Sequence, residues 1–122
     1  MKVFAHAGLL AALIAAVVAL VPTGAIAATP KLVGTVGPND TITLRTASGA
    51  PVRSLKAGVY TISVRDKSED HDFRLVGPGV NKATGVESMG NQTWRVRFAK
   101  GKTYRFLCGP HADEMRGSFR AR

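Results

Sequence analysis

From residue 31 onward the chain alternates apolar and polar positions in short runs broken by turn residues. Such alternation turns one face of a strand toward a core and the other toward water. Lys31–Val36 predicts a first strand, closed by Gly37-Pro38-Asn39-Asp40. Thr41–Arg45 sets Ile42 and Leu44 against Thr41, Thr43 and Arg45, and Ser48-Gly49-Ala50-Pro51 breaks the chain after it. Tyr60, Ile62 and Val64 share one face of the next run. After the polar stretch Asp66–Asp70, His71–Leu75 predicts a short strand with His71, Phe73 and Leu75 on one side, ended by Gly77-Pro78-Gly79. The looser stretch from Val80 to Asn91 is expected to hold a brief strand at Ala83–Val86. Trp94, Val96 and Phe98 then alternate with Thr93, Arg95 and Arg97, which puts those arginines on a solvated sheet face. Lys100-Gly101-Lys102 turns the chain into a strand carrying Tyr104, Phe106 and Cys108 on one face. A loop from Gly109 to Arg116 leads to a last strand around Ser118–Arg120. No stretch beyond residue 27 keeps a period of 3.6, and no repeat is visible. Many short strands between turns predict an all-β fold, a β-sandwich, with little helix.

The first residues carry a different pattern. Lys2 is followed by an uncharged apolar run, Ala7–Val21, of 15 residues, then Pro22-Thr23-Gly24 and the small-x-small triplet Ala25-Ile26-Ala27. That order predicts a secretory signal peptide over residues 1–27, cleaved after Ala27. A retained anchor is the alternative; the run falls short of the roughly 20 residues a spanning helix needs. Cleavage of 27 of the 122 residues leaves 95, residues 28–122, enough for one domain with its own core and no membrane span. The expected location is secreted or periplasmic.

Composition sharpens this picture in two places. The mature segment keeps 16 of 17 basic residues against 8 acidic ones, a net charge of +8. Such a balance favours acidic partners or anionic surfaces and hastens encounter with them. Few aromatics and dispersed arginines argue against nucleic acid. The expected partner has an acidic docking surface and is met by a monomer. The second place is cysteine. Cys108 is the only one, so an exported domain of this size has no internal disulfide. A lone thiol in an oxidising compartment must be buried or ligated.

The thiol stands in an informative segment, Cys108-Gly109-Pro110-His111-Ala112-Asp113-Glu114-Met115. It brings a thiol, an imidazole and a thioether together at the end of a strand. Two imidazole nitrogens, a thiolate and a long, weak thioether contact suit copper cycling between two oxidation states. Gly109 and Pro110 fit a tight turn between Cys108 and His111. His71 is the only other histidine once His6 leaves with the leader, so the donor count closes without a spare. Singly, each residue has a structural reading: an inert buried thiol, a strand-end histidine, a loop histidine, a core methionine. Their joint occurrence in a β chain is what points to a metal.

Cys108-x-x-His111-x-x-x-Met115, followed by Gly117 and Phe119 and preceded by His71, resembles the ligand loop of the cupredoxins, the small blue-copper proteins. The resemblance implies a Greek-key β-sandwich holding one mononuclear copper at one end, and one-electron transfer. Carried over residue by residue, His71 and His111 become nitrogen ligands, Cys108 the thiolate and Met115 the axial ligand. The chain departs from that pattern at Asp72, where the family commonly has Asn tying the two ligand loops together. An ionised carboxylate accepts hydrogen bonds but donates none, so an altered tie is expected. Zinc on His71, Cys108, His111 and Asp113 or Glu114 is the competing metal site. Copper storage or delivery could use the same ligands, and a β-domain without metal is the structural alternative. A Cys108–His111 nucleophile–base pair lacks a third residue and an oxyanion loop, so no enzyme is expected.

Overall fold

The computed structural model describes residues 2–3, 8, 10–24 and 28–122. Ala25-Ile26-Ala27, on which cleavage is argued, lies outside the described residues, as does His6. Residues 10–24 form neither helix nor strand; Leu10 and Leu13 are 98% and 97% exposed and add nothing to the core. No helix among the described residues is long and apolar enough to cross a membrane.

Among the described residues nine strands make the fold: β1 Lys31–Val36, β2 Ile42–Thr46, β3 Ser54–Leu55, β4 Gly58–Asp66, β5 Arg74–Gly77, β6 Val80–Ala83, β7 Gly90–Phe98, β8 Thr103–Leu107 and β9 Arg116–Ala121. They form two sheets, ordered β2-β1-β4-β7 and β3-β9-β8-β5-β6. The chain crosses from one sheet to the other five times, and only the hairpins β1–β2, β5–β6 and β8–β9 stay within a sheet. The inner faces meet in one core that includes Leu32, Ile62, Val64, Leu75, Phe98, Tyr104 and Phe119. Among the described residues every strand and every buried side chain lies between residues 31 and 121.

Aromatic rings fill the core, and glycines on facing positions make room for them. Phe98 meets Tyr104 edge-on at 4.7 Å and Phe119 at 5.0 Å, toward the end of the sandwich where β7 gives way to β8. Toward the other end Phe73 stacks on Phe106 at 6.1 Å and 3°. A side-chain carbon at position 34 would fall 2.7 Å from Phe73 Cζ, and one at position 117 would collide with the Phe106 ring. Only a residue without a side chain leaves these rings their space.

The expected all-β sandwich is what forms, and β1 has the expected bounds. Arg95 and Arg97 are exposed between buried Trp94, Val96 and Phe98, as the alternation implies. Two expected strands differ. His71–Leu75 is not a strand: β5 begins at Arg74, and His71, Asp72 and Phe73 are all buried. Three consecutive inward side chains are incompatible with a strand, whose neighbours point to opposite faces. Ala83–Val86 is likewise replaced by β6 at Val80–Ala83, which pairs antiparallel with β5 from Arg74 to Gly77. The two-residue β3, held parallel to β9, was not expected from its sequence.

Candidate metal centre

Four loops meet at the end of the sandwich where β1, β4 and β8 finish. Cys108 follows β8 directly, so the face carrying Tyr104 and Phe106 continues into its thiol, which is fully buried. The loop beyond is closed by its own backbone. Cys108 N–H donates to Met115 C=O at 3.0 Å, and Met115 N–H donates to His111 C=O at 2.8 Å. These bonds fix the two ends of the loop and bring its middle back over the strand end. Met115 is buried with it, 2% exposed, whereas Asp113 and Glu114 are exposed.

His71 arrives from the β4–β5 connection, 37 residues earlier than Cys108. Its Nδ1 lies 3.0 Å from His111 Nδ1, and each of these nitrogens lies 3.6 Å from Cys108 Sγ. A triangle with those edges has a centre about 2.0 Å from each corner, close to the metal–nitrogen distance of about 2.0–2.1 Å in protein zinc sites. The three donors therefore surround one ion-sized point. His71 and Cys108 are buried and His111 is half-buried, so one imidazole alone of the three reaches toward the surface. Two nitrogens and a thiolate are the set that suits copper in both oxidation states, and these residues fit it.

The rest of the centre holds these donors in place. Asp72, 1% exposed, spans the two ligand loops: its Oδ1 accepts the Gly109 N–H at 2.5 Å and its Oδ2 accepts Arg74 Nε at 2.7 Å. The inter-loop tie is thus made by a carboxylate, charge-paired with Arg74, rather than by an amide. Because a backbone N–H is the donor across the loops, acceptor capacity suffices. A side-chain carbon at position 109 would fall 3.0 Å from Arg74 Nε and push that half-exposed side chain outward.

Two further contacts were not anticipated from the sequence. Asp40 Oδ1, from the β1–β2 turn, sits 3.1 Å from His71 Nε2. Behind His71, Phe73 N–H donates to Thr84 Oγ1 at 2.9 Å, and Thr84 Oγ1 donates to Asp66 Oδ2 at 2.5 Å. Asp66 Oδ1 also accepts Ser68 N–H at 3.1 Å, so the connection that carries His71 is braced from both sides. In sequence Asp40 reads as an ordinary turn residue and Thr84 as part of a loose segment. Nothing local marks either one.

Nine chains of known structure match this fold. One is the copper protein rusticyanin, 16% identical, with 75% of this chain and 76% of that chain covered and a TM-score of 0.50. Another is reduced rusticyanin, 17% identical over 75% of this chain and 78% of that chain, with a TM-score of 0.48. The chain has the cupredoxin fold. At such identity the likeness is one of fold, and the placing of a cupredoxin ligand set rests on this chain's own residues. No family model and no curated protein sequence matches it.

Proposed function

We propose that this protein is an exported blue-copper protein that carries single electrons through one mononuclear site built from His71, Cys108, His111 and Met115. The observation that supports it is the triangle of donor atoms, 3.0, 3.6 and 3.6 Å on its edges, at one end of a cupredoxin sandwich. Met115 is favoured as the fourth donor over Asp113 and Glu114 because it is buried beside Cys108 and they are exposed. Bound copper would supply the one-electron chemistry. The chain's part is to hold the donors rigidly, exclude water and leave an exit.

Rigidity comes from the loop-closing backbone bonds and from Asp72. Water is excluded by Phe106 and Met115, both buried. Half-buried His111 is the exit in this reading, since an electron passes most readily through the ligand nearest a partner. A thiol with no exposure suits ligation and is closed to a substrate, so the enzyme reading finds no support in the geometry. Residues 1–27 are proposed to direct export and to leave on processing, and the mature domain is proposed to act as a monomer with a redox protein as partner.

Copper titration of residues 28–122 tests the reading. Thiolate-to-copper(II) charge transfer is expected to give an intense visible band at one copper per chain. Cys108→Ser should abolish that band and weaken binding. Stoichiometric copper binding by the wild-type protein without the band would sink the blue-copper reading.

A further inference from the structure

The eight carboxylates of this chain all fall at one end of the molecule. Asp40 touches His71; Asp66 closes β4 opposite Gly90; Glu69, Asp70 and Asp72 lie on the way to β5. Glu87 lies between β6 and β7, and Asp113 and Glu114 belong to the ligand loop. At the opposite end the reverse holds. Arg53, Lys56, Lys100, Lys102, Arg120 and Arg122 are all exposed there. They form one continuous base, because their backbones are hydrogen-bonded into each other. Arg120 N–H donates to Arg53 C=O at 3.4 Å, Ala57 N–H to Arg122 C=O at 2.8 Å, and Gly101 N–H to Ala121 C=O at 2.7 Å. Ala121 N–H returns the bond to Lys102 C=O at 2.9 Å. Six exposed cations so close together make the base strongly cationic.

We infer that this base docks on an anionic phospholipid bilayer and that docking holds the metal end away from the membrane. Two observations select a bilayer as the occupant. The cations come from three separate stretches, at the β3–β4 turn, the β7–β8 turn and the end of β9. They form a broad charged base, and a fluid layer of phosphate headgroups matches such a base without needing shape complementarity. Finally, the carboxylates at the far end are repelled by the same headgroups, so the two ends act together to orient the molecule. Each Lys or Arg near an anionic leaflet adds to binding, and the attraction dies away within a Debye length.

Flotation of residues 28–122 with vesicles of phosphatidylglycerol and phosphatidylcholine in equal parts tests this, against vesicles of phosphatidylcholine alone. The protein is expected to bind the anionic vesicles only. Lys56→Gln/Lys100→Gln/Lys102→Gln should weaken partitioning by roughly a hundredfold for three lost cations. Arg65→Gln/Arg95→Gln/Arg97→Gln removes the same charge from an exposed sheet face and should weaken it far less. Equal losses in the two triples, or no binding beyond that to neutral vesicles, overturn the inference. Spin-labelled headgroups provide the orientation: amide signals of Gly101 and Lys102 should broaden and those of Ala112–Glu114 should not, and the reverse pattern overturns it. None of these readouts needs a metal, so they stand or fall apart from the copper reading.

Discussion

Asp40 Oδ1 lies 3.1 Å from His71 Nε2, across the loops of the metal end. With Nε2–H donating to that carboxylate, the neutral ring keeps a bare Nδ1 directed at Cys108 and His111. The outer partner thus selects the tautomer a metal ligand needs. The side chain of Asp40 is 75% exposed, so solvent screens the pair and its effect is modest. Asp40→Ala is expected to lower copper affinity by about tenfold, the low end of losses for outer partners of ligands. Stability should move by less than about 0.5 kcal/mol, as for a surface change. Competition with a chelator and urea unfolding measure the two. An unchanged affinity removes Asp40 from the centre.

Asp72 differs in being buried, and it holds two elements at once. Asp72→Ala strips the acceptor from Gly109 N–H and the partner from Arg74. A hydrogen bond to a charged group is worth about 1.5–3 kcal/mol, and a loss of that order is expected on urea unfolding. Asp72→Asn keeps a carbonyl for Gly109 but turns an amide N–H toward Arg74. Arg74, with a side chain 48% exposed, can swing into water, so the loss should be smaller. If the two variants are equally unstable, the tie to Gly109 is not what matters.

Much of this was legible in the chain, and the reasons are specific. Period-two alternation predicts β1, β4, β7 and β8, because long strands with one buried face repeat the signal several times. The closeness of Cys108 and His111 was legible because they sit within four residues of each other. His71 followed from counting histidines, not from its surroundings. The illegible parts depend on long-range contact. The backbone before Arg74 leaves the strand pattern because Phe73 is claimed by Gly34, Trp94 and Phe106. β6 forms because β5 presents a partner edge, and its own four residues have three exposed side chains. The separation of charge between the two ends is invisible in a net value.

Gly117 and Phe106 face each other on β9 and β8, between the two ends of the ligand loop. Gly117→Ala forces a carbon into the ring, and overpacking of this kind costs about 1–3 kcal/mol. Phe106→Leu should relieve part of that cost, since neighbours in contact couple. The double variant is therefore expected to lose less stability than the two single losses added together. Strict additivity would mean that the ring and the glycine do not share the space.

Net charge alone favours an acidic redox partner, but charge near His111 has the other sign. Asp40, Glu69, Asp70, Glu87, Asp113 and Glu114 are exposed around the metal end and outnumber the exposed cations beside them, Lys67, Arg74 and Arg116. With a Debye length of about 10 Å at 0.1 M salt, a reactant meeting His111 responds to these groups before the distant base. Electron exchange with a small cationic metal complex is expected to slow as ionic strength rises, and exchange with an anionic one to quicken. The opposite pattern would restore the acidic partner.

The last expectation concerns what Met115 does. It is 2% exposed and its backbone closes the loop to both Cys108 and His111, so its side chain has a packing role in any case. In a trigonal copper site the imidazoles and thiolate carry most of the bonding, and an axial thioether is long and weak. Met115→Leu keeps the volume nearly constant, so stability should fall by less than about 1.5 kcal/mol. It removes the sulfur donor and leaves a drier axial side, which favours the less charged copper(I) state. The variant should still bind copper and stay coloured, with a raised reduction potential by voltammetry. Were Asp113 or Glu114 the fourth ligand, Met115→Leu would leave the potential where it was. Asp113→Ala or Glu114→Ala would then raise it, by taking away an anionic donor. Because both carboxylates are exposed and the thioether is buried, the shift is expected in the methionine variant, and an unmoved potential there would end the axial assignment.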